Sequence, residues 1–404
     1  MSEHSHSRQE CVTSAMARIN ALLVVGARPQ FIKSAPLIKE LLSHDSKVSL
    51  TIIHSGQHYD HEMSSIFFSE LELPPPKLNL NVGSGTHAYQ TATIMLRLEE
   101  FMRKSRPDVV IVPGDTNTTL AAAIAAAKAG IQVAHLEAGL RSGDMNMPEE
   151  INRRLTDHCS TLLFAPTRTA FDNLTNEGLA KNTRLTGDTM VDGLQDVMPI
   201  VKRKEGDILQ TMQLEERNFI LVTLHRPSNV DDPDRLEEIM RSLQKAAKRN
   251  TIMFPIHPRT RERLHTLGVR TRKRTGQIRF VSPQGYIETL ALLKNAKCLL
   301  TDSGGMQKEA FLLHTPCVTL RSTTEWPETL RGGANRLITN PRMIPSSIAH
   351  ATSKDAYHIG SSNPFGDGAA TQKIRRILEH EVSHKDVHLT TLHQETRIHQ
   401  NATP

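Results

Sequence analysis

The sequence of 404 residues has few cysteines, few aromatic residues and only short apolar runs. Its cysteines (Cys11, Cys159, Cys298 and Cys317) lie far apart and form no C-x-x-C pair, which argues against a disulfide scaffold or a cysteine zinc site. No apolar run approaches the roughly 20 residues of a membrane span, and the first 18 residues lack the apolar core of a signal peptide. We therefore predict a cytoplasmic protein with no membrane partner.

The net charge of +6 suits an anionic ligand, but nucleic acid is also an anion. Aromatic residues make up only 4% of the chain, and lysine and arginine are scattered among acidic residues. A basic stripe interleaved with aromatic residues, which single-stranded nucleic acid needs, is absent. We predict a small anionic ligand and no nucleic acid.

Short apolar runs alternate with segments of helical spacing along most of the chain, which predicts parallel α/β sheets. The alternation weakens between about residues 165 and 187, where Pro166, Gly178 and Gly187 occur, and it resumes after residue 200. Two α/β domains with a cleft between them follow from this pattern. In such sheets ligands bind beyond the carboxyl ends of the strands. The predicted strands lie at 21–26, 48–56, 108–115, 131–139, 219–225, 251–257, 278–283, 297–305 and 315–321.

Ionisable residues follow nearly every predicted strand, where a structural loop would use glycine, asparagine or serine. Each one alone has a structural explanation, such as a helix cap or a first-turn glutamate. Their coincidence in both halves favours one shared ligand site. The first half supplies Arg28, Lys33, Asp115, Glu137, Arg141 and Glu149, and the second supplies His225, His257, Glu309, Arg321 and Thr324.

Ser303, Gly304 and Gly305 are predicted to open a helix, so that bare N–H groups and the positive end of the helix dipole face the cleft. This arrangement suits a diphosphate and is neither a Walker A motif nor the dinucleotide glycine pattern. Glu309 and the region of Glu328 are placed to accept hydrogen bonds from ribose hydroxyls. In the other half, Asp115, Glu137 and Glu149 are expected to raise one another's pKa values, which suits proton transfer.

Ten motifs in chain order resemble those of the non-hydrolysing UDP-N-acetylglucosamine 2-epimerase family. They include GARPQFIK (26–33), GDTNTT (114–119), HLEAGLRS (135–142), MPEEINR (147–153), TLHRPSNVDDP (223–233), PIHPRT (255–260), DSGGMQKEA (302–310), TTEWPE (323–328) and NPFGDG (363–368). The resemblance implies two Rossmann-like domains in the GT-B arrangement, with the active site in the interdomain cleft. It implies a disordered tail over 1–18, domains over 19–182 and 183–365, a C-terminal helix over 366–380 that crosses back to the first domain, and a polar tail over 381–404.

The resemblance also implies the chemistry. UDP leaves in an anti elimination as the C2 proton is removed, 2-acetamidoglucal forms, and UDP adds back after C2 is protonated on its other face. Asp115, Glu137, Glu149 and His225 match the family's catalytic residues, and Arg28 and Lys33 match residues near the diphosphate. Neither a metal nor a cofactor is implied, and we expect a homodimer. The matching UDP-sugar residues are His257, Ser303, Gly304, Gly305 and Glu309, with Arg321 and Thr324 near phosphate or sugar. Independently of the resemblance, Arg28, Lys33 and Arg141 would balance the carboxylates and could meet a leaving phosphate.

Several alternatives stay open. Trp326 stands where the family more often has arginine, and GARPQFIK resembles relatives that act on UDP-2,3-diacetamido-glucuronic acid. Gln57 and His58 match part of a site where bacterial members bind a second UDP-N-acetylglucosamine as activator. A GT-B glycosyltransferase or a catalytically inactive sugar-nucleotide sensor would share the UDP half. We interpret the D-x-D at 232–234 as a helix start, and His380, His384 and His388 as part of a solvated tail more readily than as a metal site.

Overall fold

The computed structural model describes residues 18–56, 73–269, 277–353 and 363–382. Within these ranges, seven parallel strands form one sheet in the order β3-β2-β1-β4-β5-β6-β7. The strands are β1 (Ile19–Val25), β2 (Val48–His54), β3 (Leu78–Asn79), β4 (Val109–Pro113), β5 (Gln132–Leu136), β6 (Leu162–Ala165) and β7 (Thr183–Leu185).

A second parallel sheet is formed by six strands of the described residues, in the order β10-β9-β8-β11-β12-β13. The two sheets confirm the predicted fold class of two parallel α/β domains. The strands are β8 (Phe219–Thr223), β9 (Thr251–Pro255), β10 (Ile278–Val281), β11 (Cys298–Thr301), β12 (Cys317–Thr319) and β13 (Asn335–Leu337).

Helices cover both faces of each sheet, so the central strands are buried on both sides and appear in the sequence as continuous apolar runs. All five residues of β4 are buried, for example. The helices are α1 (Arg28–Leu41), α2 (His87–Ser105), α3 (Asn117–Lys128), α4 (Pro148–Cys159), α5 (Arg168–Asn176), α6 (Thr189–Thr211), α7 (Pro227–Val230), α8 (Pro233–Ala246), α9 (Pro258–Thr266), α10 (Tyr286–Asn295), α11 (Gly304–Leu312), α12 (Ile344–Ala351) and α13 (Ala370–Glu381).

The boundary expected between residues 182 and 183 falls directly before β7. Because Thr183 pairs with Leu163 of β6, β7 belongs to the first sheet. Helix α6 then connects β7 of the first sheet to β8 of the second sheet. The change of domain therefore lies within α6, which the polar composition of 165–187 did not reveal.

The C-terminal helix α13 packs against the first domain. Ile374 and Leu378 are buried in the same cluster as β1 and α1, and Arg375 pairs with Glu40 of α1 at 2.6 Å. At its start, Asp192 of α6 accepts hydrogen bonds from the backbone N–H of Thr371 at 2.9 Å and from its hydroxyl at 2.7 Å. The chain thus returns to the point at which it left the first domain.

Helix starts agree with the local sequence. The D-x-D at 232–234 begins α8, where the Asp232 carboxylate accepts from the backbone N–H of Asp234 at 3.0 Å. His380 lies in the last turn of α13, whereas His384, His388 and the rest of 383–404 lie outside the described residues, as do residues 1–17. In the ranges that the structure describes, no helix is both long and apolar enough to cross a bilayer.

Candidate active site between the two domains

The loop after β1 is held by a buried side chain. Gln30 accepts from the N–H groups of Gly26 and Ala27 at 2.8 and 3.1 Å, and its amide donates to Pro113 O at 2.9 Å. Only glycine fits at position 26, because a Cβ there would lie 2.1 Å from Ser55 Oγ. The loop between β1 and α1 is therefore fixed against the end of β4. Arg28 begins α1, but its side chain lies outside the described residues.

Glu137 occupies the centre of the cleft, directly after β5. Its backbone adopts a left-handed conformation (φ 63), which is uncommon for a residue other than glycine and often marks a functional position. Lys33 Nζ lies 2.5 Å from Glu137 Oε2, and Lys308 Nζ from the second domain lies 2.9 Å from Glu137 Oε1. The carboxylate is thus held between two ammonium groups that come from different domains.

The expectation that neighbouring carboxylates raise one another's pKa is wrong for Glu137. Burial would raise its pKa, but the charges and hydrogen bonds of Lys308 and Lys33 lower it to about 2. Burial by itself would lower the pKa of Lys33, but the negative charges of Glu137 and Asp115 raise it above its usual value. The cleft therefore contains an ionised Glu137 beside an ionised Lys33 at neutral pH.

Asp115 follows β4 and pairs with Arg153 Nη2 of α4 at 2.5 Å, while a quarter of its side chain (26%) stays exposed. Glu149 lies in the first turn of α4, half buried and with no hydrogen-bond partner among the described residues. Both carboxylates thus remain available at the cleft. Met147, the residue that precedes α4, contacts the second domain, because its sulfur lies 4.0 Å from Arg226 Nη1 and 3.9 Å from Arg321 Nη2.

Arg141 is engaged within its own domain. Its guanidinium pairs with Asp157 at 2.7 Å and with Glu177 at 2.8 Å, and it donates to Leu140 O at 2.7 Å. Asp157 also contacts His135 Nδ1 at 2.7 Å. This network supports the loop that carries Glu137, although Arg141 lines an interdomain cavity as well.

In the second domain, His225 follows β8 and is oriented by the buried Asp302. The Asp302 carboxylate accepts from the backbone N–H groups of His225 and Arg226 at 3.1 and 3.0 Å, and His225 Nδ1 lies 3.3 Å from it. His257 caps α9, and its ring centroid lies 5.6 Å from that of His225. With Nδ1 directed at Asp302, the Nε2 edge of His225 can serve a ligand; its side chain is 41% exposed.

Ser303, Gly304 and Gly305 begin α11 as predicted, with Ser303 at the N-cap. A Cβ at Gly304 would lie 1.9 Å from Glu325 Oε1, whereas one at Gly305 would meet nothing within 4 Å. The start of the helix therefore presents open N–H groups, which suit an anion. Glu309 is buried one turn further along the same helix.

Around this helix start lies a second charged cluster. Arg321 Nη1 lies 2.8 Å from Glu325 Oε2, and Arg153 of the first domain lies 4.0 Å from Glu325 Oε1. Burial would raise the pKa of Glu325, but Arg321, Arg153 and Arg226 lower it to about 2. Thr324 donates to Gln307 Oε1 at 2.7 Å, which ties this loop to α11.

A cavity of about 260 Å³ lies between the domains beside this cluster. Both carboxylate oxygens of Glu328 are buried there without a hydrogen-bond donor among the described residues. Since a buried carboxylate is stabilised by donors, Glu328 would accept hydrogen bonds from a ligand's hydroxyls. The cavity is lined by Gly139, Leu140, Arg141, Thr167, Thr169, Ala170, Asn173, Thr324, Glu325, Pro327 and Glu328.

Several residues of this site were missed by the reasoning from sequence, although most lie inside the quoted motifs. Each was overlooked because its role depends on a partner in a distant segment, as for Lys308 and Glu137. Gln57 and His58, the predicted activator residues, lie outside the described part of the chain. Among the described residues, no cluster of histidine, cysteine and acidic side chains could hold a metal ion. Asp188 and Lys308 were not singled out at all, whereas Arg153, Asp302 and Glu325 were recognised as ionisable residues after strands but were assigned no role.

Comparisons with known proteins agree on one family. The family model described as UDP-N-acetylglucosamine 2-epimerase matches residues 40–379. The chain is 45% identical over 358 residues to a UDP-N-acetylglucosamine 2-epimerase homolog of Methanococcus maripaludis, covering 88% of this chain and 98% of that one. It is 41% identical to the UDP-2,3-diacetamido-2,3-dideoxy-D-glucuronate 2-epimerase of Pseudomonas aeruginosa, with the same coverage.

A solved structure is similar over the same length. The UDP-GlcNAc 2-epimerase of Methanocaldococcus jannaschii, crystallised in complex with UDP-GlcNAc and UDP, superposes with a TM-score of 0.83 at 42% identity. The match covers 89% of this chain and 99% of that one. The similarity thus extends over both domains and the cleft between them.

Glu325→Gln tests the cluster around α11 through the pH dependence of stability. Because folding lowers the pKa of Glu325 from 4.5 to about 2, its stabilisation is present above pH 4.5 and is lost as the pH falls toward 2. We expect the difference in unfolding free energy between wild type and variant to shrink by about 1 kcal/mol between pH 6 and pH 4. Urea unfolding at fixed pH values measures it.

The matched control is Glu237→Gln, which alters an exposed glutamate paired with Arg241 on α8. Its unfolding free energy should follow that of the wild type at every pH. A pH-independent difference for Glu325→Gln would mean that the arginines do not hold Glu325 in its ionised form.

Proposed function

Because the chain belongs to the UDP-N-acetylglucosamine 2-epimerase family of isomerases, we propose that it interconverts UDP-N-acetylglucosamine and UDP-N-acetylmannosamine by inverting C2. One observation carries this proposal. The carboxylates of Asp115 and Glu137 follow neighbouring strands of one domain, and the open helix start of Ser303–Gly305 in the other domain suits an anion. Groups that can move protons thus share a cleft with a cradle for a leaving diphosphate.

In the first half-reaction a carboxylate removes the C2 proton. The electron pair of the C2–H bond forms the C1–C2 double bond, and the C1–O bond breaks toward UDP. The N–H groups of Gly304 and Gly305, with the cations Lys33, Arg226 and Arg321 near the cleft, balance the charge on the departing diphosphate. The neutral product of this step is 2-acetamidoglucal.

In the second half-reaction an acid on the other side of the ring protonates C2. The UDP oxygen then bonds to C1, and the C2 configuration is inverted. Asp115, Glu137, Glu149 and His225 are the groups that we assign to these transfers. The low pKa of Glu137 keeps this group ionised, which suits a carboxylate that stabilises positive charge at C1 and not a proton donor, so we assign the donor role to one of the other three.

The UDP half is assigned to the second domain. His257 caps α9 beside His225, Glu309 is buried within α11, and Glu328 offers a buried acceptor without a protein donor among the described residues. We propose that ribose hydroxyls donate to Glu309 and Glu328. We assign Arg321 and Thr324 to the phosphate side of the site, because Arg321 pairs with Glu325 beside the start of α11 and Thr324 donates to Gln307 of that helix.

A related sugar remains the alternative substrate. The Pseudomonas aeruginosa relative is named for UDP-2,3-diacetamido-2,3-dideoxy-D-glucuronate and is only slightly less similar than the archaeal ones. That sugar differs from N-acetylglucosamine in having an acetamido group at C3 and a carboxylate at C6, whereas the chemistry at C2 is the same. A side-by-side assay of the two UDP-sugars distinguishes them.

We also propose that the enzyme is a cytoplasmic homodimer. Cys159, Cys298 and Cys317 are free thiols, which suits a reducing compartment, and cell fractionation tests this location.

Large apolar side chains are exposed on two helices that each pack against α3: Tyr89 and Leu96 on α2, and Ile151 and Leu155 on α4. Such residues on adjacent helices suit a subunit interface.

The assembly is tested with the double variant Leu96→Glu and Leu155→Glu. We expect the wild type to elute with twice the chain mass of 45.1 kDa in light-scattering chromatography, and the variant to shift toward one chain mass, because buried charges disfavour the interface. Leu42→Glu, at an exposed position that follows α1, is the control. A wild type of single-chain mass would contradict the dimer.

The proton-transfer residues are tested with Asp115→Asn, Glu137→Gln and Glu149→Gln. Each should lower kcat by about 100-fold or more, the usual size of a general acid–base contribution. UDP affinity, measured by calorimetry, should change much less because the uridine half lies in the other domain. Glu100→Gln, in an exposed pair, is the control. Near-normal rates in all three variants would show that other groups transfer the protons.

The chemistry is tested by solvent deuterium. The removing and donating groups lie on opposite sides of the sugar, and carboxylates exchange with water faster than a turnover of about 10 per second. Each of the two UDP-sugars is incubated with enzyme in deuterated water, and C2 is followed by NMR. We expect deuterium at C2 of the product from the true substrate. A glycosyltransferase or a nicotinamide-dependent epimerase would leave C2 unlabelled, and that result would refute the elimination.

A further inference from the structure

One fully buried lysine connects the second domain to the centre of the site. Lys308 lies on α11, one turn after Gly304, and its side chain is 0% exposed. Its ammonium lies 2.9 Å from Glu137 Oε1, contacts Asp188 Oδ2, and stands 3.9 Å from the centre of the Trp326 ring. Because an unpaired buried charge is strongly destabilising, these contacts are what allow a lysine here.

The partners of Lys308 are themselves fixed. Asp188 is the N-cap of α6 and accepts from the backbone N–H of Met190 at 2.8 Å, while its own N–H donates to Phe365 O at 2.8 Å. The Lys308–Asp188 pair therefore stands where α6 leaves the first domain and the C-terminal segment returns.

The charges around Glu137 are balanced. Lys33 from α1 and Lys308 from α11 supply two positive charges, and Glu137 and Asp188 supply two negative ones. Asp115 is the further acidic group whose charge acts on Lys33. Burial and the charge of Glu137 raise the pKa of Asp188, although Lys308 opposes this rise. Lys308 is thus the member of the set that both carboxylates share.

Trp326 completes the environment of Lys308. The family that the motifs resemble more often has arginine at this position, and a guanidinium there would place a second cation against the ammonium. The face of the indole ring instead attracts the ammonium. Lys308 and Trp326 are therefore a matched pair in this chain.

From this geometry we propose that Lys308 is a positioning residue, which holds the Glu137 carboxylate from the opposite domain in the place and charge state that the C2 chemistry needs. The proposal rests on the function given above, in which Glu137 acts on the sugar. Lys308 itself acts through Glu137 and is assigned no contact with substrate. It also connects the helix that receives the diphosphate to the carboxylate that acts on C2.

The test uses the double variant Lys308→Met and Asp188→Asn, which removes one positive and one negative charge together. Glu137 then keeps Lys33, so no unpaired buried charge is left to prevent folding. We expect kcat to fall on the order of 10- to 100-fold, because the Glu137 carboxylate loses one of the two ammonium groups that hold it in place. The acidic limb of the kcat–pH profile should move upward by about one to three units, as expected when an opposite charge is lost. UDP affinity should stay within about threefold, since the side chain of Lys308 contacts Glu137 and Asp188 and is assigned no contact with UDP.

A control removes another lysine–carboxylate pair, which is partly exposed and also joins α6 to a helix of the second domain. Lys294 and Glu205 form an ion pair at 2.6 Å between α10 and α6, away from Glu137. The double variant Lys294→Met and Glu205→Gln should keep the kcat and the pH profile of the wild type. A loss equal to that of the Lys308 variant would attribute the effect to general destabilisation and overturn the proposal.

A second comparison isolates the route of action. In a Glu137→Gln background, the Lys308→Met and Asp188→Asn changes should lower the residual rate no further, because residues that act through one group are not additive. An additive loss, or an unchanged acidic limb in the double variant, would overturn the positioning role. A wild type that places no deuterium at C2 would instead refute the proposed function, so the two failures are distinguishable.

Discussion

The ion pair between Lys308 and Glu137 crosses from one sheet to the other, and the site depends on it. Each partner is buried, and each has one further ion-pair partner, because Glu137 also pairs with Lys33 and Lys308 also contacts Asp188. The pair lies close to the junction where α6 leaves the first domain, beside Asp188. Docking of the two domains therefore adds a second cation that, with Lys33, lowers the pKa of the central carboxylate.

Around this pair, the cleft contains two clusters of charged side chains, one centred on Glu137 and the other on Glu325. The first surrounds Glu137 and keeps a carboxylate ionised beside Lys33. The second joins Arg153 and Arg321 to Glu325 beside the start of α11. Met147 lies between the second cluster and the first domain, because it contacts Arg321 and Arg226.

The low pKa of Glu137 changes how the acids are interpreted. Three carboxylates at one site suggest mutual repulsion and raised pKa values, but each carboxylate here has a different environment. Glu137 is held by two lysines, Asp115 is paired with Arg153, and Glu149 has no partner among the described residues. Environments that differ in this way allow chemically identical side chains to act as base, stabiliser and acid in one reaction.

The sequence by itself determined the fold class and nine of the thirteen strands of the described residues, whereas β3, β6, β7 and β13 were not predicted. These properties follow from short-range patterns, namely apolar runs, glycine turns and the polar residues directly after strands. Ser303, Gly304 and Gly305 were predictable for the same reason, since a helix start is local. Only the tertiary structure decided which charges meet. Arg141 is held by Asp157 and Glu177, whereas Lys308, 171 positions from Glu137, reaches the centre of the site. Such pairings depend on how two separately formed sheets dock, and no local pattern specifies that orientation.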